Sequence, residues 1–190
     1  LNGNENLTTL LLATFAIGIG IGSLTCEKLS KNTIELGIIP IGAIGLSLFT
    51  FDLFLFSSNI SMNHPITAKN FIVDTSNWRL IFDLTMIGAS GGIFSVPFYA
   101  AIQDRANPKY LSRIIAANNI INAIFMVSAS ILAITFLSIG FSIPEFFILI
   151  SLMNIFMIIY LNFTSELFFI RFMRLMKSLP NFDKKIKDKL

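Results

Sequence analysis

The sequence predicts an all-α integral membrane protein with five transmembrane helices, and three observations carry that prediction. Of its 190 residues, 54% are apolar, 20 are Phe and mean hydropathy is +0.75. Only 13% are charged, against roughly 25% in soluble domains, which leaves too few charges to cover a wetted surface. Finally, the apolar residues fall into five runs, each near the ~20 residues that a helix needs to cross ~30 Å of hydrocarbon.

The runs lie at about 7–25, 34–56, 80–103, 114–139 and 144–163. A backbone crossing lipid must satisfy its own hydrogen bonds, so each run is expected to be helical. They make up a membrane unit over residues 1–165, followed by a basic tail over 166–190 in which Arg171, Arg174 and Lys177 interrupt bulky apolar residues. That tail reads as an amphipathic helix lying on anionic lipid. The first residues, polar and lacking a basic group, do not form a signal peptide; the start reads as a cut inside a longer parent chain.

Net charge is +3, and its distribution sets an orientation. Twelve of the 14 Lys and Arg fall on one side: Lys28 and Lys31 between the first two runs, Arg105, Lys109 and Arg113 between the third and fourth, and seven after the fifth. Lys69 and Arg79 are the remaining two. The positive-inside rule makes the first side cytoplasmic and the amino end external. Trp78, Tyr99, Tyr110 and Tyr160 fall near the expected interfaces.

Small residues recur at helix-contact spacing. Gly18 and Gly22 form one GxxxG, and Gly88 and Gly92 another; such faces let neighbouring backbones approach closely. Glycines around Gly20 lack the spacing of a phosphate loop. Pro97 removes a backbone hydrogen bond late in the third run and is expected to bend it.

The polar residues within the runs are the candidate functional groups, because a charge at mid-span costs ~3 kcal/mol unless it faces protein or water. They are Asp52, Arg79, Asp83, Asn118, Asn119, Asn122 and Asn154. Arg79 and Asp83, four apart, are placed to pair along one face. Asn118 and Asn122 share a face about 6 and 12 Å inside the membrane edge, as glue between helices or as the lining of a cavity. Cys26 and His64 are the sole residues of their types, so neither a disulfide within the chain nor a His-based helical zinc site is expected. No metal, cofactor, nucleic-acid surface or catalytic constellation is expected, and the chain does not read as an enzyme.

Two stretches, GNENLTTLLLATFAIGIGIGSLTCEKLSKNTIELGIIPIGAIGLSLF and GGIFSVPFYAAIQDRANPKYLSRIIAANNIINAIFMV, with SIPEFFILISLMN, resemble the carboxyl-terminal half of a major facilitator superfamily transporter, of the lysophospholipid-transporter type. In some bacteria that unit is fused to a phospholipid acyltransferase and an acyl-acyl-carrier-protein synthetase. The resemblance implies that the five helices correspond to the eighth through twelfth of twelve. It implies a bacterial inner membrane, with a periplasmic amino end and a cytoplasmic carboxyl end. The implied partners are the bilayer, a lysophospholipid-like cargo, the remaining half of the carrier and the fused acyltransferase or synthetase. Ser23, Glu27, Lys28, Ser30 and Lys31 resemble a degenerate copy of the superfamily's gating loop. Asn118, Asn122, Asp83 and Arg79 are then the cavity candidates, with Arg105 and Arg113 as contacts for cargo phosphate. A membrane anchor or scaffold for the acyltransferase, or a non-functional remnant, are the competing readings.

Overall fold

The computed structural model describes residues 5–30, 36–57, 67–164 and 172–173. It is all-helical over these residues, with no strand among them. Five stretches are long and apolar enough to cross a membrane. They are built on α1 (Glu5–Ser30), α2 (Ile39–Ser57, entered through a 3-10 turn at Leu36–Ile38), α4 (Trp78–Arg105), α5 (Leu111–Ser138) and α6 (Ile143–Thr164). A sixth, short helix, α3 (Ala68–Val73), lies between α2 and α4. Apart from Phe172 and Met173, the expected amphipathic tail falls outside the described residues, as do Lys31 and His64.

The helices run further than the apolar runs did. α1 continues through Cys26, Glu27 and Lys28 to Ser30, and α4 through Gln103 and Asp104 to Arg105. Neither extension contains Gly or Pro, and Lys28 and Arg105 sit in last turns, where a cation meets the negative end of the helix dipole. The segment resembling a gating loop is therefore helical from Ser23 to Ser30. The Ser23 hydroxyl donates back to the Ile19 carbonyl at 2.8 Å and that of Ser30 to Glu27 at 2.9 Å. Pro97 lies inside α4, which the structure records as one uninterrupted helix.

α4 is the centre of the bundle, with α1 on one side and α2 on the other, while α6 packs on α2. The α1 contact is made by glycine against backbone. A Cβ on Gly18 would strike the Thr85 carbonyl, and one on Gly22 the Ala89 carbonyl. Reciprocally, a Cβ on Gly88 would strike the Phe15 carbonyl, and one on Gly92 would lie 2.7 Å from the Ile19 oxygen. The α2 contact repeats the device at glycines that the sequence did not single out. A Cβ on Gly42 would sit 2.6 Å from the Phe94 nitrogen, and one on Gly45 would collide with the Ser90 hydroxyl.

One end of the bundle is closed by a small core of Leu7, Leu53, Phe71 and Leu80, with Phe147 of α6 against it. α3 brings Phe71 there, fully buried. Thr67 caps α3, the Asn77 amide donates to the Phe71 carbonyl at 3.3 Å, and the Trp78 indole donates to the Ile72 carbonyl at 2.8 Å. The turn from α5 to α6 depends on Gly140, at φ 97°, a left-handed conformation that costs residues with a Cβ about 1–2 kcal/mol. α6 then opens with a reciprocal cap. The Ser142 backbone N–H donates to Glu145 Oε2 at 2.6 Å, and the Glu145 N–H donates to Ser142 Oγ at 3.4 Å, the two-way pairing of a capping box.

Gly22→Leu is expected to force α1 off α4 and destabilise the chain in detergent by about 1–3 kcal/mol, the range for an overpacked contact. Gly20→Leu, on the same helix with open space around it, is expected to stay within about 0.5 kcal/mol. Thermal unfolding of the two variants side by side makes the comparison.

Candidate functional site

Three polar clusters stand out, each fixed by a different pair of helices. The first lies near the start of α4. The sequence placed Arg79 to pair with Asp83 one turn along; the structure turns it to α2 instead. Arg79 Nε donates to Asp52 Oδ2 at 3.1 Å, and Arg79 Nη2 donates to Asp52 Oδ1 in a second, parallel bond. The reason is geometric. A guanidinium matches a carboxylate bidentately, and α2 presents Asp52 across the helix contact with room for both bonds. The guanidinium also lies 5.6 Å from the centre of the Phe56 ring, within reach of a cation–π contact. The pair remains accessible, Arg79 at 53% and Asp52 at 34% of side-chain area.

Asp83 is left in the interior. It is fully buried, and neither carboxyl oxygen has a hydrogen-bond partner among the described residues. The charges acting on it come from Asp52 and Arg79. A bare polar group in an interior costs about 1–3 kcal/mol.

The second cluster joins α6 to α2. Asn154 donates from Nδ2 to the Ala43 carbonyl at 2.7 Å and to Ser47 Oγ at 2.9 Å, and the Ser151 hydroxyl donates to the Ser47 carbonyl at 2.9 Å. Ser47 and Ser151 are both buried. The sequence marked Asn154 as costly but gave no reason to select its serine partners, since serine is common in apolar helices. Beside this cluster an apolar cleft of about 310 Å³ opens between α1, α2, α4 and α6, with Thr50 and Asn154 as its polar residues among Phe15, Leu84, Ile87 and Phe147.

The third cluster is on α5. Asn122 donates from Nδ2 to the Tyr99 hydroxyl of α4 at 2.9 Å. Asn118, on the same face, is half-buried, and Asn119 points out and is exposed. This amide pair is set on a helix that otherwise touches little. α5 has no buried residue, and its packing is confined mainly to α6 and to the 3-10 turn that leads into it. That turn, Pro108–Tyr110, is held by the Asn107 side chain accepting from the Lys109 N–H at 3.0 Å. It separates Arg105, in the last turn of α4, from Arg113, in the first turn of α5; both are exposed.

The structure therefore does not gather the six candidate residues into one pocket. Arg79 and Asp83 sit with Asp52 near one end of α4, Arg105 and Arg113 flank the turn at the other, and Asn118 and Asn122 lie on α5 between the ends. No group of His, Cys, Asp and Glu suited to a metal ion occurs among the described residues. No family model, curated protein or solved structure matches the chain.

Substitution separates the two kinds of buried polar group. Asn154→Leu is expected to lower stability by roughly 0.6–1.7 kcal/mol, the span for hydrogen bonds between membrane helices. Asp83→Val, which removes the unsatisfied carboxyl with the least change of volume, is expected to leave stability unchanged or higher. Denaturation midpoints in a fixed detergent decide both.

Proposed function

We propose that the chain is part of a secondary membrane transporter of the major facilitator type, moving a lysophospholipid-like amphiphile across a bacterial inner membrane. Its five apolar helices span the bilayer, with the Arg105–Arg113 turn on the cytoplasmic side. They work beside a further set of helices, supplied by the same or another chain, because carriers of this kind hold cargo at the midplane between two halves.

The observation that carries this reading is α5. A helix that presents amides at its middle, and buries none of its residues, is poorly suited to lipid on every side. Asn122 already donates to the Tyr99 hydroxyl, and an amide in hydrocarbon without a partner costs a few kcal/mol, so the half-buried Asn118 beside it is the group that a wet cavity or an opposing helix would satisfy. Two further features support the cargo class. The cleft beside Asn154 is apolar enough for an acyl chain, and the exposed Arg105 and Arg113 offer guanidinium groups to a phosphate.

In the assembled carrier, Asn122→Leu is expected to lower cargo flux into proteoliposomes by about tenfold or more, the equivalent of one lost polar contact to cargo. A chain that only anchors an acyltransferase would keep both its partner's activity and its own membrane insertion. Unchanged flux at an unchanged protein level rejects the carrier role for this face. For orientation, a cysteine replacing Lys109 is expected to react with an impermeant maleimide only after the cells are opened. Labelling of intact cells would invert the topology.

A further inference from the structure

A second cavity lies at the opposite end of α4 from the Asp52–Arg79 pair; the transport reading takes Arg105 as a contact for cargo phosphate but makes no use of the apolar walls beside it. It has a volume of about 420 Å³ and is walled by Leu36 from the turn before α2, by Phe98, Ala101 and Ile102 of α4, and by Ile114 of α5. Its volume is in the range of small-molecule sites, ~300–1,000 Å³. Every wall is apolar except one, and that exception is Arg105.

The arrangement is that of an amphiphile's mould. The groove runs alongside the last two turns of α4, on the face bearing residues 98, 101, 102 and 105, which are spaced three and four apart and so lie in one row. Arg105 closes that row at the point where α4 gives way to the polar turn. Its guanidinium is exposed and has no ion-pair partner among the described residues, although Asp104 is its neighbour in sequence. Lys109 and Arg113 add positive charge just beyond. An apolar slot that ends in an exposed guanidinium, at the depth where a span meets water, is complementary to an acyl chain that ends in a phosphate.

We infer that this groove holds an anionic phospholipid of the surrounding bilayer, with one acyl chain against Phe98, Ala101, Ile102 and Ile114 and its phosphate on Arg105. The lipid is a resident of the fold rather than its cargo. It would tie the start of α5, which has few protein contacts of its own, to the end of α4. Basic recesses between helices near the cytoplasmic surface are suited to acidic headgroups, and guanidinium binds phosphate through two parallel donors. The inference rests on the membrane reading above but not on transport.

The test is a lipid titration of the purified chain in detergent micelles, read by native mass spectrometry. The ligands are palmitoyl-oleoyl phosphatidylglycerol, the phosphatidylcholine with the same chains, and inorganic phosphate. One phosphatidylglycerol per chain is expected to bind about tenfold more tightly than phosphatidylcholine, the margin of one charge-assisted contact. Arg105→Gln should erase that preference and leave phosphatidylcholine binding as it was. Lys109→Gln, which removes the same charge outside the groove, should retain the preference. Ala101→Trp, which fills the slot, should weaken both lipids; should that variant not fold, the Arg105 and Lys109 pair still decides. Equal binding of the two lipids overturns the inference, as does equal loss of preference in the Arg105 and Lys109 variants, since diffuse charge would then account for it. Displacement of phosphatidylglycerol by equimolar inorganic phosphate also overturns it, by making the site one for the free ion. None of these readouts uses flux, so carrier function can fail while the groove stands, or the reverse.

Discussion

The contact between α1 and α4 sets the rest of the molecule. Two glycines from each helix place backbone directly against backbone, so that a single added Cβ meets a carbonyl oxygen. Interhelical attraction in such an apolar bundle comes from dispersion and close packing rather than from expulsion of water, and dispersion falls off within a fraction of an ångström. Glycine is the residue that allows so close an approach. Because α4 makes a second contact of this kind, with Gly42 and Gly45 of α2, it is clamped on two sides. Both the burial of Asp83 and the reach of Arg79 to Asp52 follow from where that clamp holds α4.

The polar groups of the interior divide into two sorts. Asn154, Ser47 and Ser151 are mutually satisfied and bind α6 to α2; they behave as structural hydrogen bonds in an environment with few competitors. Asp83 is buried as deeply and has nothing to accept from among the described residues. The fold tolerates it beside a guanidinium that is already committed to another carboxylate. Those three groups form a compact electrostatic unit with one more acid than base, and any rearrangement of Arg79 would change the surroundings of Asp83 at once. α5 is the counterpart in shape: it has no buried residue along its length and is joined to α4 by the Asn122–Tyr99 hydrogen bond. The bundle thus divides into four helices in mutual contact and a fifth with few contacts of its own.

Much of the architecture was legible in the amino-acid order. Apolar runs of span length require helices, because no other open structure satisfies the backbone without water, and five such helices are present. Their ends were less legible. Apolarity stops near Thr25 and Gln103, but helical hydrogen bonding continues to Ser30 and Arg105, since a helix ends where the backbone is interrupted and not where the side chains turn polar. That is why a segment read as a loop from Ser23 onward is helix. α3 was not foreseen either, because six residues give too weak a periodic signal.

What the sequence by itself determined is therefore the class of element, the number of span-length helices and the identity of their expensive residues. Only the tertiary structure decided which of those residues meet. Spacing along one helix paired Arg79 with Asp83, yet the guanidinium is long enough to cross to α2 and takes Asp52 there. Spacing likewise exposed two GxxxG motifs but passed over Gly42, Gly45 and the serines that bond Asn154. The physical reason is common to all of these. A helix period reports which side chains share a face, whereas the partner on the opposite face lies up to 111 residues away in the chain and is fixed only once backbones have packed.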